Sequence, residues 1–148
     1  MSHLVFPYGI RFQEDARIEV FPMAELDILG NGGVGIRAAF HIDSGATTSA
    51  LPASDGETLG LEVEKGREMV IRGVLGDTTQ GYMHEVVLRF EGKKFRVPVI
   101  FVQDETMPRI LGREGVFSRF AVLFDETKRR TAFLENRKQR EVIDRLFE

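Results

Sequence analysis

The sequence has no cysteine and no tryptophan among its 148 residues, and it has only three histidines. The lack of cysteine excludes disulfide bonds, thiolate zinc sites and a cysteine nucleophile. His84-Glu85 begins like the zinc motif H-E-x-x-H, but Leu88 stands where the second histidine is needed. We therefore expect no metal site and no cofactor.

A strong excess of basic charge and a long apolar run are also missing. The formal net charge is −3, which gives no general attraction for nucleic acid. No apolar stretch approaches the roughly 20 residues that a membrane span needs, and residues 1–12 do not read as a signal peptide. We expect a cytoplasmic protein that has neither nucleic acid nor a membrane as a partner.

The pattern of apolar residues predicts a β protein. At about 100–200 residues per domain, the chain makes one domain, with a core at about 25–135 and a C-terminal helical extension at about 136–148. Side chains alternate between apolar and other types along three stretches, which lie at 34–42, 86–90 and 95–101. This period of two is typical of strands with one buried face. Several short strands separated by turns indicate a small barrel or sandwich.

Helices are expected to be few and short. Ser54-Asp55-Gly56-Glu57 has the form of a capping box that starts a short helix. A second short helix is expected at Glu114–Arg119. The stretch from Arg137 to Phe147 carries an apolar stripe at helical spacing and predicts a C-terminal helix.

A glycine-rich motif at residues 30–35 matches the dinucleotide fingerprint G-x-G-x-x-G. That fingerprint has to open a helix after a strand. Here it opens an alternating strand, so we interpret it as a hairpin turn.

The motif that carries chemistry is Asp43-Ser44-Gly45-Ala46, which directly follows an alternating strand that ends at Ile42. Such a short motif is weak alone, because Asp and Ser also form ordinary turns with the local backbone. About 65 residues later the chain reads Ile110-Leu111-Gly112-Arg113, and a glycine-containing hairpin at 70–76 lies between the two.

This ordered set resembles the retroviral-type aspartic proteases, the retropepsin-like family, over roughly residues 34–135. The resemblance implies a closed barrel of the acid-protease type with one lobe per chain. It further implies that Asp43, Ser44 and Gly45 form the catalytic loop, and that the apolar-apolar-Gly segment braces this loop. It implies that the hairpin is a flap over the cleft.

The resemblance also implies residues that bind the substrate, with Ala46 beside the catalytic loop and the remainder on the flap: Gly73, Val74, Leu75 and Gly76. The flap tip is expected at Val74-Leu75 or at Gly76-Asp77. Arg113 matches a basic family position and is expected to make a structural ion pair or a backbone contact.

The number of motifs predicts the assembly. Amide hydrolysis by water needs an acid and a base, and two carboxylates that share a proton can supply both. The chain has a single D-[ST]-G motif, so the second aspartate would come from a second copy across a two-fold axis. We expect an aspartic endopeptidase that acts on a peptide or protein as a homodimer. The alternatives are a non-catalytic peptide-binding or dimerisation module of the same fold, and a plain β-barrel binding protein in which D-S-G is only a turn.

Overall fold

A computed structural model describes residues 4–73 and 75–148. Twelve strands make up most of the structure: β1 (Leu4–Pro7), β2 (Gly9–Phe12), β3 (Ile18–Phe21), β4 (Met23–Leu29), β5 (Gly35–Ile42), β6 (Ser49–Pro52), β7 (Arg67–Arg72), β8 (Thr78–Phe90), β9 (Lys93–Val102), β10 (Ile110–Leu111), β11 (Phe120–Asp125) and β12 (Arg130–Glu135). Two short helices join them: α1 (Ala53–Thr58) and α2 (Arg140–Arg145). Short 3-10 turns lie at Asn31–Gly33 and Val63–Lys65.

The main sheet closes on itself. Its strand order is β4-β5-β10-β6-β9-β8-β7, and an additional pairing between β4 and β8 joins six of these strands into a ring. A second sheet has the order β1-β12-β11, and β2 and β3 form a sheet of two strands. The mainly β fold predicted from the sequence is confirmed.

The alternation of side chains along β5 decides which face meets the core. Ala38, Phe40 and Ile42 are buried, whereas Ala39 and His41 lie on the opposite face. The glycine-rich stretch before β5 forms the expected hairpin turn, since Leu29 pairs with Gly35.

Phenylalanine rings join the two larger sheets. Phe90 of β8 packs against Phe133 of β12 and Phe120 of β11, with ring centroids 5.3 and 5.5 Å apart. Phe6 and Phe95 extend this cluster. Edge-to-face and offset contacts of this kind are the favoured aromatic geometries. The amide of Tyr8, which follows β1, donates to the carbonyl of Arg129.

The helices differ in detail from the sequence predictions. Helix α1 begins at Ala53 after Pro52, which makes no side-chain capping bond. The amide of Ser54 instead donates to the carboxylate of Glu105, so Ser54-Asp55-Gly56-Glu57 does not form a capping box. The short helix expected at Glu114–Arg119 is wrong, because the chain forms successive turns there. Gly115 has a φ of +74°, which a right-handed helix does not accommodate. The C-terminal helix is confirmed as α2, although the division into core and extension stays a prediction.

The β2–β3 hairpin is held against β5 by one aromatic stack and one hydrogen bond. The ring of Phe21 lies parallel to that of His41, with centroids 3.7 Å apart. Arg11 lies 2.7 Å from Nε2 of the same histidine. Since arginine can only donate, Nε2 must accept and the imidazole must be neutral.

The surroundings of His41 favour that neutral form. Burial and then the charge of Arg11 lower the pKa of His41, while Glu19 and Asp43 oppose this shift. Because the unfolded chain then binds a proton more readily than the folded chain, the stabilising effect is present above the unfolded pKa, near 6.5. It is lost as the pH falls from there toward the folded pKa.

We therefore predict that the parent protein loses stability between pH 7.5 and 5 more steeply than a His41→Gln variant. Urea unfolding at a series of pH values measures this as two slopes of the free energy of unfolding. The slopes are compared instead of the absolute values, because glutamine also removes the stack on Phe21. Equal slopes would show that His41 does not titrate differently on folding.

An ion pair fastens the segment before β10 to helix α1. The guanidinium of Arg109 donates to both carboxylate oxygens of Asp55, at 2.6 and 2.9 Å. The side chain of Asp55 is only 9% exposed, and that of Arg109 is 37% exposed. This bidentate pair raises the pKa of Arg109. The carbonyl of Arg109 in turn accepts from the amide of His41.

We predict that Asp55→Asn lowers the free energy of unfolding by roughly 2–4 kcal/mol, because it leaves a partly buried guanidinium without its counter-charge. The matched control is Asp144→Asn, which removes an exposed pair with Arg140 on α2. That change should cost about 0.5 kcal/mol or less. Chemical denaturation of the two variants beside the parent measures both values, and similar costs would contradict the prediction.

Candidate active site

Asp43 stands at the end of β5, where the chain leaves the sheet and turns. The turn at Ser44-Gly45 reverses the direction of the chain, which re-enters the sheet as β6 at Ser49. Asp43, Ser44 and Gly45 are exposed, and Ala46 is half-buried. The predicted catalytic loop therefore presents its carboxylate to solvent from a fixed strand end.

Two backbone amides hold one oxygen of this carboxylate. Oδ1 of Asp43 accepts from the amide of Gly45 at 2.8 Å and from the amide of Ala46 at 3.2 Å. A Cβ atom on Gly45 would lie 3.2 Å from the same oxygen, which is tighter than an ordinary contact. Within the described residues no hydrogen bond to Oδ2 is formed. The loop therefore orients the carboxylate and leaves its second oxygen accessible.

The segment that follows β10 braces the loop through backbone hydrogen bonds. The amide of Asp43 donates to the carbonyl of Leu111 at 3.0 Å, and the amide of Arg113 donates to the carbonyl of Ala46 at 3.0 Å. The amide of Glu114 donates to the carbonyl of Thr47 at 2.8 Å. The brace that the sequence predicted is present.

Gly112 sits where the two segments touch most closely. A Cβ atom there would lie 2.6 Å from the backbone carbon of Thr48, so only glycine fits. The amide of Gly112 donates to Oγ of Ser49 at 2.9 Å, and Ser49 is fully buried. This serine was not among the predicted site residues. The sequence feature that could have identified it is a single hydroxyl residue at the start of β6, whose other residues are apolar.

Arg113 plays a structural part, and of the two contacts expected it makes the backbone contact. Its amide makes the backbone contact with Ala46, whereas its guanidinium approaches Oγ1 of Thr47 at 3.5 Å. No ion pair of this guanidinium is found in the described residues. The carboxylate in the brace is instead Glu114, which accepts from Oγ1 of Thr48.

The predicted flap is a hairpin between β7 and β8. Arg72 pairs with Thr78, and the amide of Gly73 donates to the carbonyl of Asp77, so the loop spans 73–77. Leu75 is 95% exposed, and Gly76 has a φ of +87°, which favours glycine. Val74 lies outside the described residues. Tyr82 lies farther along β8, opposite Glu68.

The structure brings Asp43, Ser44, Gly45 and Ala46 together but does not join them to the flap. In the described part of the chain no hydrogen bond links the 73–77 loop to the Asp43 loop. Their meeting across a substrate stays a prediction. The described residues also contain no group of three or more His, Asp or Glu side chains that could hold a metal ion. No helix among them is both long and apolar enough to cross a membrane.

Comparisons with solved structures support the fold. A retropepsin-like aspartic protease from Rickettsia conorii superposes with a TM-score of 0.59 at 17% identity, over 89% of this chain and 98% of that one. The EIAV protease in complex with the inhibitor HBY-793 gives 0.45 at 22% identity, over 62% of this chain and 82% of that one. The simian foamy virus protease gives 0.40 at 22% identity, over 62% of this chain and 87% of that one.

The comparison with sequence families is more direct. A search of curated proteins found no match. The family model described as aspartyl protease matches residues 25–114, which is more than half of the chain and includes the Asp43 loop, the hairpin and the brace. The retropepsin-like fold and this family match together bear out the resemblance seen in the sequence: the chain belongs to the aspartyl protease family.

Proposed function

We propose that this protein is an aspartic endopeptidase in which the Asp43 carboxylates of two identical chains activate one water molecule. The observation that carries this proposal is the Asp43 loop, which holds one carboxylate oxygen with two amides and leaves the other accessible. The family and the fold support peptidase chemistry. We also propose a cytoplasmic site of action, in keeping with the sequence prediction.

The chemistry requires the two carboxylates to share one proton. Close like charges do not both ionise readily, so one group is protonated while the other is ionised. The ionised Asp43 takes a proton from the water molecule while the oxygen of that water attacks the peptide carbonyl carbon. The protonated Asp43 gives its proton to the carbonyl oxygen. Proton transfer to the amide nitrogen then breaks the C–N bond, leaving a carboxylic acid and an amine.

The remaining predicted residues have supporting roles in this proposal. The hydroxyl of Ser44 has no hydrogen-bond partner in the described part of its own chain, so it is available to the partner's loop. The half-buried Ala46 borders the substrate. The flap residues Gly73, Leu75 and Gly76, with Val74, close over a bound peptide and exclude water.

We predict that Asp43→Asn abolishes cleavage of a peptide library at about pH 4–6, with a loss of roughly 10³-fold or more, because the amide can act neither as acid nor as base. The matched control is Asp144→Asn, which makes the same change on an exposed face of α2 and should retain activity. Mass spectrometry of the cleaved peptides measures both. Equal cleavage by Asp43→Asn and the parent would overturn the mechanism. If neither the parent nor Asp43→Asn cleaves any peptide, the result favours the non-catalytic binding module.

The brace gives a second test, at a residue that does not touch the substrate. We predict that Gly112→Ala lowers both stability and activity, because its Cβ atom would meet the backbone of Thr48 at 2.6 Å and displace the Asp43 loop. The control Gly35→Ala places a Cβ atom at ordinary contact, 3.4 Å from its neighbours. Thermal unfolding and the peptide assay compare the two variants. A Gly112→Ala enzyme with parental activity would show that the loop does not depend on this contact.

A further inference from the structure

The outer face of the β2–β3 hairpin is apolar and uncovered. In the antiparallel register Ile10 lies opposite Val20, and Phe12 lies opposite Ile18, so these four side chains share one face. Ile10 is 64% exposed, Phe12 is 78% exposed and Ile18 is 61% exposed. We call Ile10, Phe12, Ile18 and Val20 the outer face of the hairpin.

The inner face of the same hairpin is fixed on the strand that carries the site. Phe21 and Arg11 contact His41 there. A Cβ atom on Gly9 would lie 2.6 Å from the Phe21 ring, so the glycine makes room for the stack. The position of the outer face relative to the Asp43 loop is therefore set by direct contacts two residues from Asp43.

An isolated two-stranded ribbon is marginally stable in water. This one has backbone pairing with no other described strand, and it exposes three large apolar side chains side by side. Contiguous exposed apolar side chains with a polar border mark an interaction surface. Charged side chains of both signs lie at the turn beside this face: Glu14, Asp15 and Arg17.

The geometry of the site indicates what covers this face. Phe40 and Ile42 point into the core, whereas His41 lies on the opposite face of β5, and the charge of Asp43 acts on it. The loop that carries Asp43 is exposed, so a second Asp43 can approach it from this side. The hairpin lies on the same side, stacked on His41. A second chain that pairs its Asp43 with this one therefore comes close to the hairpin.

We propose that the outer face of the hairpin packs against a second copy of this chain and contributes the apolar centre of the homodimer interface. The proposal rests on the proposed function, because the second copy is the one that completes the Asp43 pair. In a two-fold assembly each hairpin contributes the same side chains, so a change at Phe12 alters the interface twice.

The test is sedimentation equilibrium of the full chain over a concentration series, with Phe12→Ser and Phe147→Ser as a matched pair. Both phenylalanines are exposed, at 78% and 84%, so neither change should disturb the fold, which circular dichroism and thermal unfolding check. Phe147 belongs to the exposed apolar C-terminus beyond α2, the alternative place for an interface. We expect Phe12→Ser to raise the dimer dissociation constant by at least about tenfold and Phe147→Ser to leave it unchanged.

Each other outcome would overturn the proposal. A larger effect of Phe147→Ser would place the interface at the C-terminus. Equal dissociation constants for Phe12→Ser and the parent would show that the second copy does not cover the hairpin. A raised KM with an unchanged dimer constant would show that the outer face contacts the substrate instead. A parent protein that stays monomeric at all concentrations would contradict the homodimer itself.

The same samples separate this proposal from the proposed function. Asp43→Asn leaves the hairpin intact, so this variant should still form a dimer while its peptidase activity is lost. If Asp43→Asn cleaves peptides but Phe12→Ser still weakens the dimer, the catalytic mechanism is wrong and the interface is right. If Asp43→Asn is inactive but Phe12→Ser dimerises normally, the catalytic mechanism is supported and the proposed interface is wrong.

Discussion

The contact between the Asp43 loop and the segment after β10 is the constraint on which the site depends. This contact consists of hydrogen bonds between backbone amides and carbonyls. The geometry of the contact therefore follows from the path of the backbone more than from the side chains. It tolerates no Cβ atom at Gly112, and it uses the buried hydroxyl of Ser49 to satisfy an amide that would otherwise be unpaired. In the proposed mechanism, a carboxylate fixed in this way needs no rearrangement before it acts.

The rest of the fold holds the two sides of that contact in register. The ring of strands fixes β5 and β6, and β10 pairs with both of them. The bidentate pair between Arg109 and Asp55 anchors the chain just before β10. On the face of β5 that points away from the core, Phe21 of the β2–β3 hairpin stacks on His41. The strand that leads to Asp43 is thus supported from the core, from its neighbours and from the hairpin.

The parts of the molecule that follow from local pattern could be predicted from the sequence. Alternation located β5, β8 and β9, and the spacing of two short motifs located the loop and its brace. Gly115 shows why the turns after the brace were missed, since nothing in its neighbours reveals a positive φ. The stack of Phe21 on His41 was missed because it joins residues 20 positions apart on strands β3 and β5, which do not pair with each other. Long-range side-chain pairs of this kind carry no periodic signature.

The two tyrosines of this tryptophan-free chain have a spectroscopic consequence. Tyr8 is buried next to the hairpin, whereas Tyr82 is half-buried on β8, the strand that leads away from the flap. The tyrosine bands of near-ultraviolet absorption and fluorescence come from these two rings, with no indole to mask them. With phenylalanine in place of Tyr8, the emission of the protein would arise from Tyr82 alone. The chain thus carries an optical reporter on a strand of the predicted flap without any attached dye.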